Sequence, residues 1–179
     1  EIANLMWACA SLGMRPPDVL FEKLCSRSGA MVHDFNSQNT SNFVWACAVF
    51  SRVKEGLGLL LGHQICLGSG LLSFEGLSKE VLCQTHQFPV TCDLEARDAQ
   101  LSAAEMELLG EIKETNGKTC LEVFTSTQVD PSRLQGEVAS AVGACGFAYE
   151  EEAVDALSGY SIDILVADGG KGVALEVDG

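Results

Sequence analysis

An internal repeat constrains this chain more than any other feature of its sequence. Residues 2–10 read IANLMWACA and residues 40–48 read TSNFVWACA, so the two segments are offset by 38 positions. Five of nine positions are identical, at the pairs Asn4/Asn42, Trp7/Trp45, Ala8/Ala46, Cys9/Cys47 and Ala10/Ala48. A repeat of this length is typical of folds in which one supersecondary unit stacks on the next.

Each repeat unit is predicted to be a helical hairpin. The apolar residues of both segments recur at helical spacing. Gly13 is placed to end the first helix, and Pro16-Pro17 to start the second. Asn36 is a suitable N-cap for the next first helix. This part of the chain is therefore predicted to be an N-terminal α-solenoid of 38-residue helical hairpins.

The repeats resemble the octotricopeptide repeat family over residues 1–55. The segments that carry the resemblance are NLMWACASLG (4–13), PPDVLFEKL (16–24) and DFNSQNTSNFVWACA (34–48). That family is associated with organellar RNA, so the resemblance implies single-stranded RNA as a partner. Asn4 and Asn42 share one position of the unit, where they either form hydrogen-bond ladders between repeats or contact the ligand. They are the candidate RNA-binding residues.

The repeat pattern stops in a glycine-rich stretch. Residues 56–76 contain six glycines, and each glycine costs a helix about 1 kcal/mol relative to alanine. Either the third repeat unit is degenerate here or an irregular insertion over residues 56–76 interrupts it, and a gene-model artefact is the remaining alternative. Residues 56–74 are uncharged and long enough to suggest a membrane span, but their glycines argue against one. No membrane partner is expected.

Residues 77–130 are predicted to be a helical linker region. Helices are expected over 77–87 and 102–113. Ser102 is a suitable N-cap, and Glu105 stands three positions later, as a capping box requires.

From Pro131 the pattern changes to alternating helix and strand, so the chain as a whole is predicted to be α+β. Ser132 is predicted to cap a helix that ends at Gly146. Strands are expected over 147–151, 160–167 and 173–178, because these segments are rich in strand-forming residues. Gly169-Gly170 suit the two-residue loop of the last hairpin.

A two-residue loop at Gly169-Gly170 makes paired positions of the hairpin sum to 339. Asp163 then lies opposite Glu176, and Asp178 is the diagonal neighbour of Asp163. Like charges placed opposite each other destabilise a sheet. The pattern therefore predicts a divalent metal site of Asp163, Glu176 and Asp178, a basic partner, a raised pKa or a solvated acidic face.

Residues 131–179 resemble the N-terminal half of a RAP domain, a module thought to share the restriction-endonuclease fold. The resemblance rests on DALSGYSIDIL (155–165) and VALEVDG (173–179). It implies a truncated restriction-endonuclease-like α/β module in which Asp163 and Glu176 match the carboxylates of a D…E-x-K site for Mg or Mn. Asp178 stands where that motif has lysine. Octotricopeptide repeats followed by a RAP domain are the arrangement of organellar RNA-binding proteins related to the FAST kinase domain-containing family.

The charge of the chain is strongly acidic and unevenly spread. The formal net charge is -14, yet residues 1–70 carry five basic and five acidic side chains. A protein that grips nucleic acid or an anionic membrane through charge alone has the opposite balance. The eight cysteines form no zinc-binding spacing and are expected to be reduced, buried small residues.

The two resemblances imply an RNA-binding protein that acts in organellar RNA processing or stability, including rRNA processing, although the acidic charge does not favour it. It would work in a chloroplast or mitochondrion, with single-stranded RNA and ribonucleoproteins as partners. No targeting peptide is recognisable before the first helical pattern. The alternatives are a metal-dependent ribonuclease with a degenerate D…E-x-K site, whose candidate catalytic residues are Asp163, Glu176 and Asp178, and a protein-interaction scaffold.

Overall fold

The chain combines helices with a small antiparallel sheet and is α+β, as predicted. The computed structural model describes residues 1–67, 77–126 and 131–178. The helices are α1 (Ile2–Ser11), α2 (Asp18–Ala30), a short 3-10 helix (Val32–Asp34), α3 (Ser37–Val49), α4 (Val53–Leu67), α5 (Lys79–Ala99), α6 (Ala103–Thr125) and α7 (Arg133–Ala144). The strands are β1 (Ala148–Val154), β2 (Ser161–Asp168) and β3 (Lys171–Leu175). The chain divides into two compact units, Glu1–Val123 and Phe124–Gly179.

The first unit is an array of helices around one apolar core. α3 packs against both α1 and α5, and α4 packs against both α2 and α5. The core includes the fully buried side chains of Met6, Phe43, Leu57 and Phe88. Helices α1 and α3 hold the two copies of the repeated sequence, so the repeat corresponds to neighbouring helices.

The ends of the first helices follow the sequence signals. Gly13, just after α1, has a φ of +64°, a conformation that glycine adopts without steric cost. Asn36 caps α3, and its Oδ1 accepts a hydrogen bond from the Asn39 amide at 2.9 Å. Ser102 and Glu105 form the predicted capping box at the start of α6.

The glycine-rich stretch is helical as far as Leu67, so the prediction of an irregular insertion from residue 56 is wrong over that range. Glycine is needed at position 56, because an added Cβ would lie 2.6 Å from the Phe88 ring of α5. Close packing and the burial of Leu57 and Leu60 offset the weak helix propensity of the glycines. Residues 68–76 of the expected insertion lie outside the described residues. Among helices built from the described residues, none has the length and apolar character of a bilayer span.

Helices α5 and α6 are longer than the sequence predicted. α5 continues through Pro89 to Ala99, although proline removes one backbone hydrogen bond of a helix. Phe88 and Cys92 on either side of that proline are buried in the core, which holds this part of α5 against α3 and α4. Tertiary packing thus overrides the local helix-breaking signal.

The second unit packs α7 against a sheet with the strand order β1-β2-β3. Ser132 caps α7 through the predicted interaction, reinforced by a capping box with Gln135. Gly169 and Gly170 have φ values of +55° and +84°, as a two-residue hairpin loop requires. The predicted pairing of Asp168 with Lys171 is confirmed. The small core centres on Ala139, Ile164 and Val166.

Candidate functional site

An open groove of about 580 Å³ crosses the helices α1, α3 and α5. Its lining residues are Asn4, Trp7 and Ala8 from α1, Gln38 and Asn42 from α3, and Glu80 and Gln84 from α5. Four of these side chains are amides, which each carry hydrogen-bond donors and an acceptor. The groove thus contains both candidate asparagines of the repeat.

A row of amide hydrogen bonds connects α1 to α3 on the groove surface. Gln38 Nε2 donates to Asn42 Oδ1 at 2.8 Å, and Asn42 Nδ2 donates to Asn4 Oδ1 at 3.2 Å. The predicted ladder between repeats is therefore present. Asn42 is only 7% exposed, whereas Asn4 is exposed. Asn42 serves mainly to join the helices, and Asn4 is the better placed of the two to meet a ligand.

Two glutamines of α5 continue this polar connection from α3 to the next helix. Ser41 Oγ donates to Gln84 Oε1 at 2.9 Å, and Trp45 Nε1 donates to Gln87 Oε1 at 2.5 Å. Sequence reasoning missed both glutamines, because the W-A-C-A motif is absent from α5. These contacts span 43 and 42 residues rather than the 38 residues of the repeat, so the repeat pattern does not point to them.

The two tryptophans of the repeat have different roles. Trp7 is 41% exposed and lines the groove. Trp45 is half-buried and its indole N–H is used by Gln87. Only Trp7 therefore presents an aromatic surface to a ligand in the groove.

Glu80 is the charged residue among those that line the groove. A hydrogen bond with the Ser78 side chain, followed by one from the backbone, lowers the pKa of Glu80. The carboxylate therefore stays ionised at neutral pH. A polyanion entering the groove would meet this negative charge, which limits how much phosphate contacts can contribute there.

The carboxylates Asp163, Glu176 and Asp178 do not form the predicted metal cluster. β3 ends at Leu175, so Glu176 and Asp178 lie beyond the last paired residue of the hairpin. The Val177 amide donates to Asp163 Oδ2 at 2.7 Å, so a backbone group rather than a cation or a basic partner interacts with this carboxylate. No group of three or more His, Cys, Asp or Glu side chains in the described parts of the chain is arranged to hold a metal ion. These residues therefore do not fit Mg or Mn, and we derive no hydrolytic step from them.

Glu152, which sequence reasoning overlooked, is a carboxylate that connects separate elements of the second unit. Its oxygens accept hydrogen bonds from Ser161 Oγ at 2.6 Å and from Gln135 Nε2 at 2.7 Å. These bonds, that of Ser161 first, lower the pKa of Glu152. Gln135 also donates to the Asp163 carbonyl at 3.1 Å, so the group links α7 to β1 and β2. The run of three glutamates at 150–152 was the available signal, but it does not show which of them turns inward.

A second cavity, of about 40 Å³, lies inside the helical unit. Thr40 Oγ1 and His63 Nδ1 line it, and neither atom has a hydrogen-bond partner in the described residues. His63 Nε2 lies 3.3 Å from the Phe35 carbonyl. The volume suits ordered water rather than an organic ligand, so this cavity is not a candidate binding site for a larger molecule.

The described cysteines are free thiols, but the expectation that they are buried holds only for Cys47, Cys92 and Cys120, whereas Cys9, Cys25 and Cys83 are half-buried and Cys145 is exposed. Burial raises the pKa of Cys92 to about 12 and that of Cys120 to about 11. Both thiols therefore stay protonated at neutral pH and are poor nucleophiles. They act as small core residues, and no catalytic role is assigned to them.

Comparisons of the chain with protein-family models, with curated proteins and with solved structures give no match. The groove itself indicates which kind of ligand it can bind. Its amides can donate and accept hydrogen bonds, and Trp7 can stack on a planar group. Such a surface suits an extended polar ligand that carries flat rings or peptide groups.

Proposed function

We propose that the helical unit is an α-solenoid whose groove binds single-stranded RNA. We further propose that the second unit is the first half of a RAP module, and that the protein acts in organellar RNA processing or stability, including rRNA processing. A chloroplast or mitochondrion is the proposed location. The resemblance of the repeats and of the C-terminal sequence to organellar RNA-binding proteins supports this assignment.

The observation that carries the proposal is the combination of Trp7 with the exposed amides of Asn4 and Gln38 in one groove. Asn and Gln side chains can donate to and accept from the edges of an unpaired base at the same time. An exposed aromatic ring offers a stacking platform, worth about 1–3 kcal/mol per base. Asn4 is exposed, and no described residue accepts a hydrogen bond from its Nδ2. A base placed on Trp7 would therefore have a donor nearby.

The charge of the groove predicts an unusual dependence on salt. Its charged lining residue is the carboxylate of Glu80, so stacking and amide contacts must supply most of the affinity. The slope of log K against log salt concentration scales with the number of phosphates neutralised. We expect a shallow slope, of magnitude below about 2.

Fluorescence anisotropy with labelled single-stranded oligoribonucleotides tests the proposal. We expect Trp7→Ala to weaken binding about tenfold or more, since one stacked base is lost. Leu94→Ala is the control, because Leu94 is exposed on α5 and does not line the groove. Glu80→Gln should strengthen binding by removing the repulsive charge, whereas Glu22→Gln on α2 should not. Binding that is absent in the unmodified chain, or unaffected by Trp7→Ala, would refute the proposal.

A protein-interaction scaffold is the second candidate, and Glu80 favours it. A carboxylate beside several amides suits the backbone and basic side chains of an extended polypeptide. Affinity capture from an organellar extract with and without ribonuclease treatment separates the two functions. Under the RNA proposal, ribonuclease abolishes recovery of the partners, whereas a scaffold retains one defined polypeptide that Glu80→Gln releases.

A further inference from the structure

The first hairpin, α1–α2, exposes several large apolar side chains, each of which has an equivalent in the second hairpin. Leu5 is 49% exposed, Leu12 is 72% exposed and Val19 is 66% exposed. We refer to these three residues, together with Met14, as the leading face. Met14 is also 62% exposed. Exposed apolar residues that belong to one surface mark an interaction site more often than scattered ones do.

The counterparts of the leading face in the second hairpin are buried. At the repeat offset of 38 residues, Leu5 corresponds to Phe43, Leu12 to Phe50 and Val19 to Leu57. Phe43 and Leu57 are fully buried, and Phe50 is 6% exposed. The residue class is therefore the same in both hairpins, whereas the surroundings differ.

For two of these counterparts, ring contacts show which residues pack against them. The Phe50 ring lies 5.9 Å from the Phe21 ring of α2 in an edge-to-face arrangement, and the Phe43 ring lies 6.3 Å from that of Phe35. Both partners belong to the segment that precedes α3. Phe50 thus packs on α2 of the first hairpin, and Phe43 packs on the connection between the two hairpins.

We propose that the leading face docks one further helical hairpin of the same type, through contacts that repeat those between α2 and the α3–α4 hairpin. The interface inside the molecule is the template, and the docked hairpin continues it by one repeat unit. The inference does not depend on RNA binding, because it rests on repeat equivalence and exposure alone.

The interface between the two hairpins also indicates which residues the docked hairpin should have. It places an aromatic ring opposite Leu12, as Phe21 lies against Phe50. Arg52, the counterpart of Met14, lies over the Phe21 ring at 4.8 Å and 3.5 Å from the Asp18 carboxylate. Met14 cannot pair with a carboxylate, so the docked hairpin should have an uncharged residue where α2 has Asp18.

The proposal can be tested by lengthening the full chain by one repeat unit. A second copy of residues 1–38 is joined in front of Glu1, which places the added copy of Phe21 opposite Leu12. We expect the helical unit to unfold in one transition with Tm raised by about 5 °C or more, because neighbouring repeats stabilise one another. Met14→Arg in this extended chain should raise Tm further, since the added copy supplies an Asp18 carboxylate.

The control is the double change Leu5→Asp and Leu12→Asp in the original hairpin. In the unextended chain it should leave Tm unchanged, because both side chains are exposed there. In the extended chain it should abolish the rise in Tm. Two results would overturn the proposal. The first is an added copy that melts separately without stabilising the chain. The second is sedimentation that shows the unextended chain as a dimer broken by Leu12→Asp, since the leading face would then take a second copy.

Discussion

Helices α1 and α3 carry the same W-A-C-A sequence in different surroundings. On α3, most residues around it are buried, and the side chains of Asn42 and Trp45 bond to α1 and α5. On α1, the corresponding Leu5, Trp7 and Leu12 are between 41% and 72% exposed. The repeated sequence therefore makes both segments helical. The neighbours of each helix decide which of its side chains stay exposed.

The same comparison applies to the polar and aromatic residues of the repeat that lie in or near the groove. Asn42 is used up in joining helices, whereas its counterpart Asn4 accepts one hydrogen bond and stays exposed. Trp45 donates to Gln87, whereas Trp7 keeps its ring surface in the groove. Ligand contacts are expected from the copies that the array leaves incomplete.

The largest expected effect compares Phe43→Ala with Leu5→Ala at one position of the repeat. Phe43→Ala leaves a cavity in the core and should lower the free energy of unfolding by about 3–5 kcal/mol. Leu5→Ala removes a half-exposed side chain and should cost less than about 0.5 kcal/mol. Chemical denaturation of the two variants measures both values. Similar losses for the two variants would show that α1 is covered in solution as α3 is.

A smaller effect is expected when Asn42→Ala is compared with Asn4→Ala. Asn42 is buried and bonds to both Gln38 and Asn4. Asn42→Ala removes both bonds together with the packing of a buried side chain and should cost about 1–2 kcal/mol. Asn4→Ala removes only one of the two bonds and should cost less, about 0.5–1 kcal/mol. Urea unfolding provides the measurement, and the opposite order would contradict the assignment of Asn42 as the joining residue.

The smallest expected effect is a pH dependence of the stability of the second unit. Hydrogen bonds from Ser161 and Gln135 lower the pKa of Glu152 below its ordinary value of 4.5. The stability that Glu152 contributes is therefore present above about pH 4.5 and is lost as the pH falls through the lower folded-state pKa. Since Glu152 is partly exposed, we expect a few tenths of a kcal/mol after screening by solvent.

Glu152→Gln should flatten this part of the stability profile between pH 7 and pH 3, while Glu151→Gln at the exposed neighbour should leave it intact. Unfolding of the second unit by urea across that range gives the profile. If both variants show the same stability profile as the unmodified chain, the hydrogen bonds to Glu152 do not stabilise its ionised form.

The helices and turns that local signals control were predictable from sequence. Gly13, Asn36 and Ser132 act where the sequence placed them, because capping and turn formation depend on a few adjacent residues. The hairpin loop at Gly169-Gly170 and its register were also predictable, since a two-residue loop fixes the pairing.

The features that depend on distant packing were not predictable. The glycines of α4 look like helix breakers until Phe88 of α5 is seen against Gly56. The carboxylates of the last hairpin look like a metal site until β3 is seen to end at Leu175, where the Val177 amide turns to Asp163. In both cases the deciding partner lies elsewhere in the chain or in its backbone.

The most direct test of the account uses Trp7 as its own reporter. The chain has two tryptophans, so Trp45→Phe leaves Trp7 as the single indole and Trp7→Phe leaves Trp45. Circular dichroism confirms that each variant is folded before single-stranded RNA is titrated in. We expect RNA to quench the fluorescence of Trp7 in a saturable way and to change that of Trp45 little. Quenching of neither residue, or of Trp45 alone, would contradict the claim that the groove across α1, α3 and α5 is the binding surface.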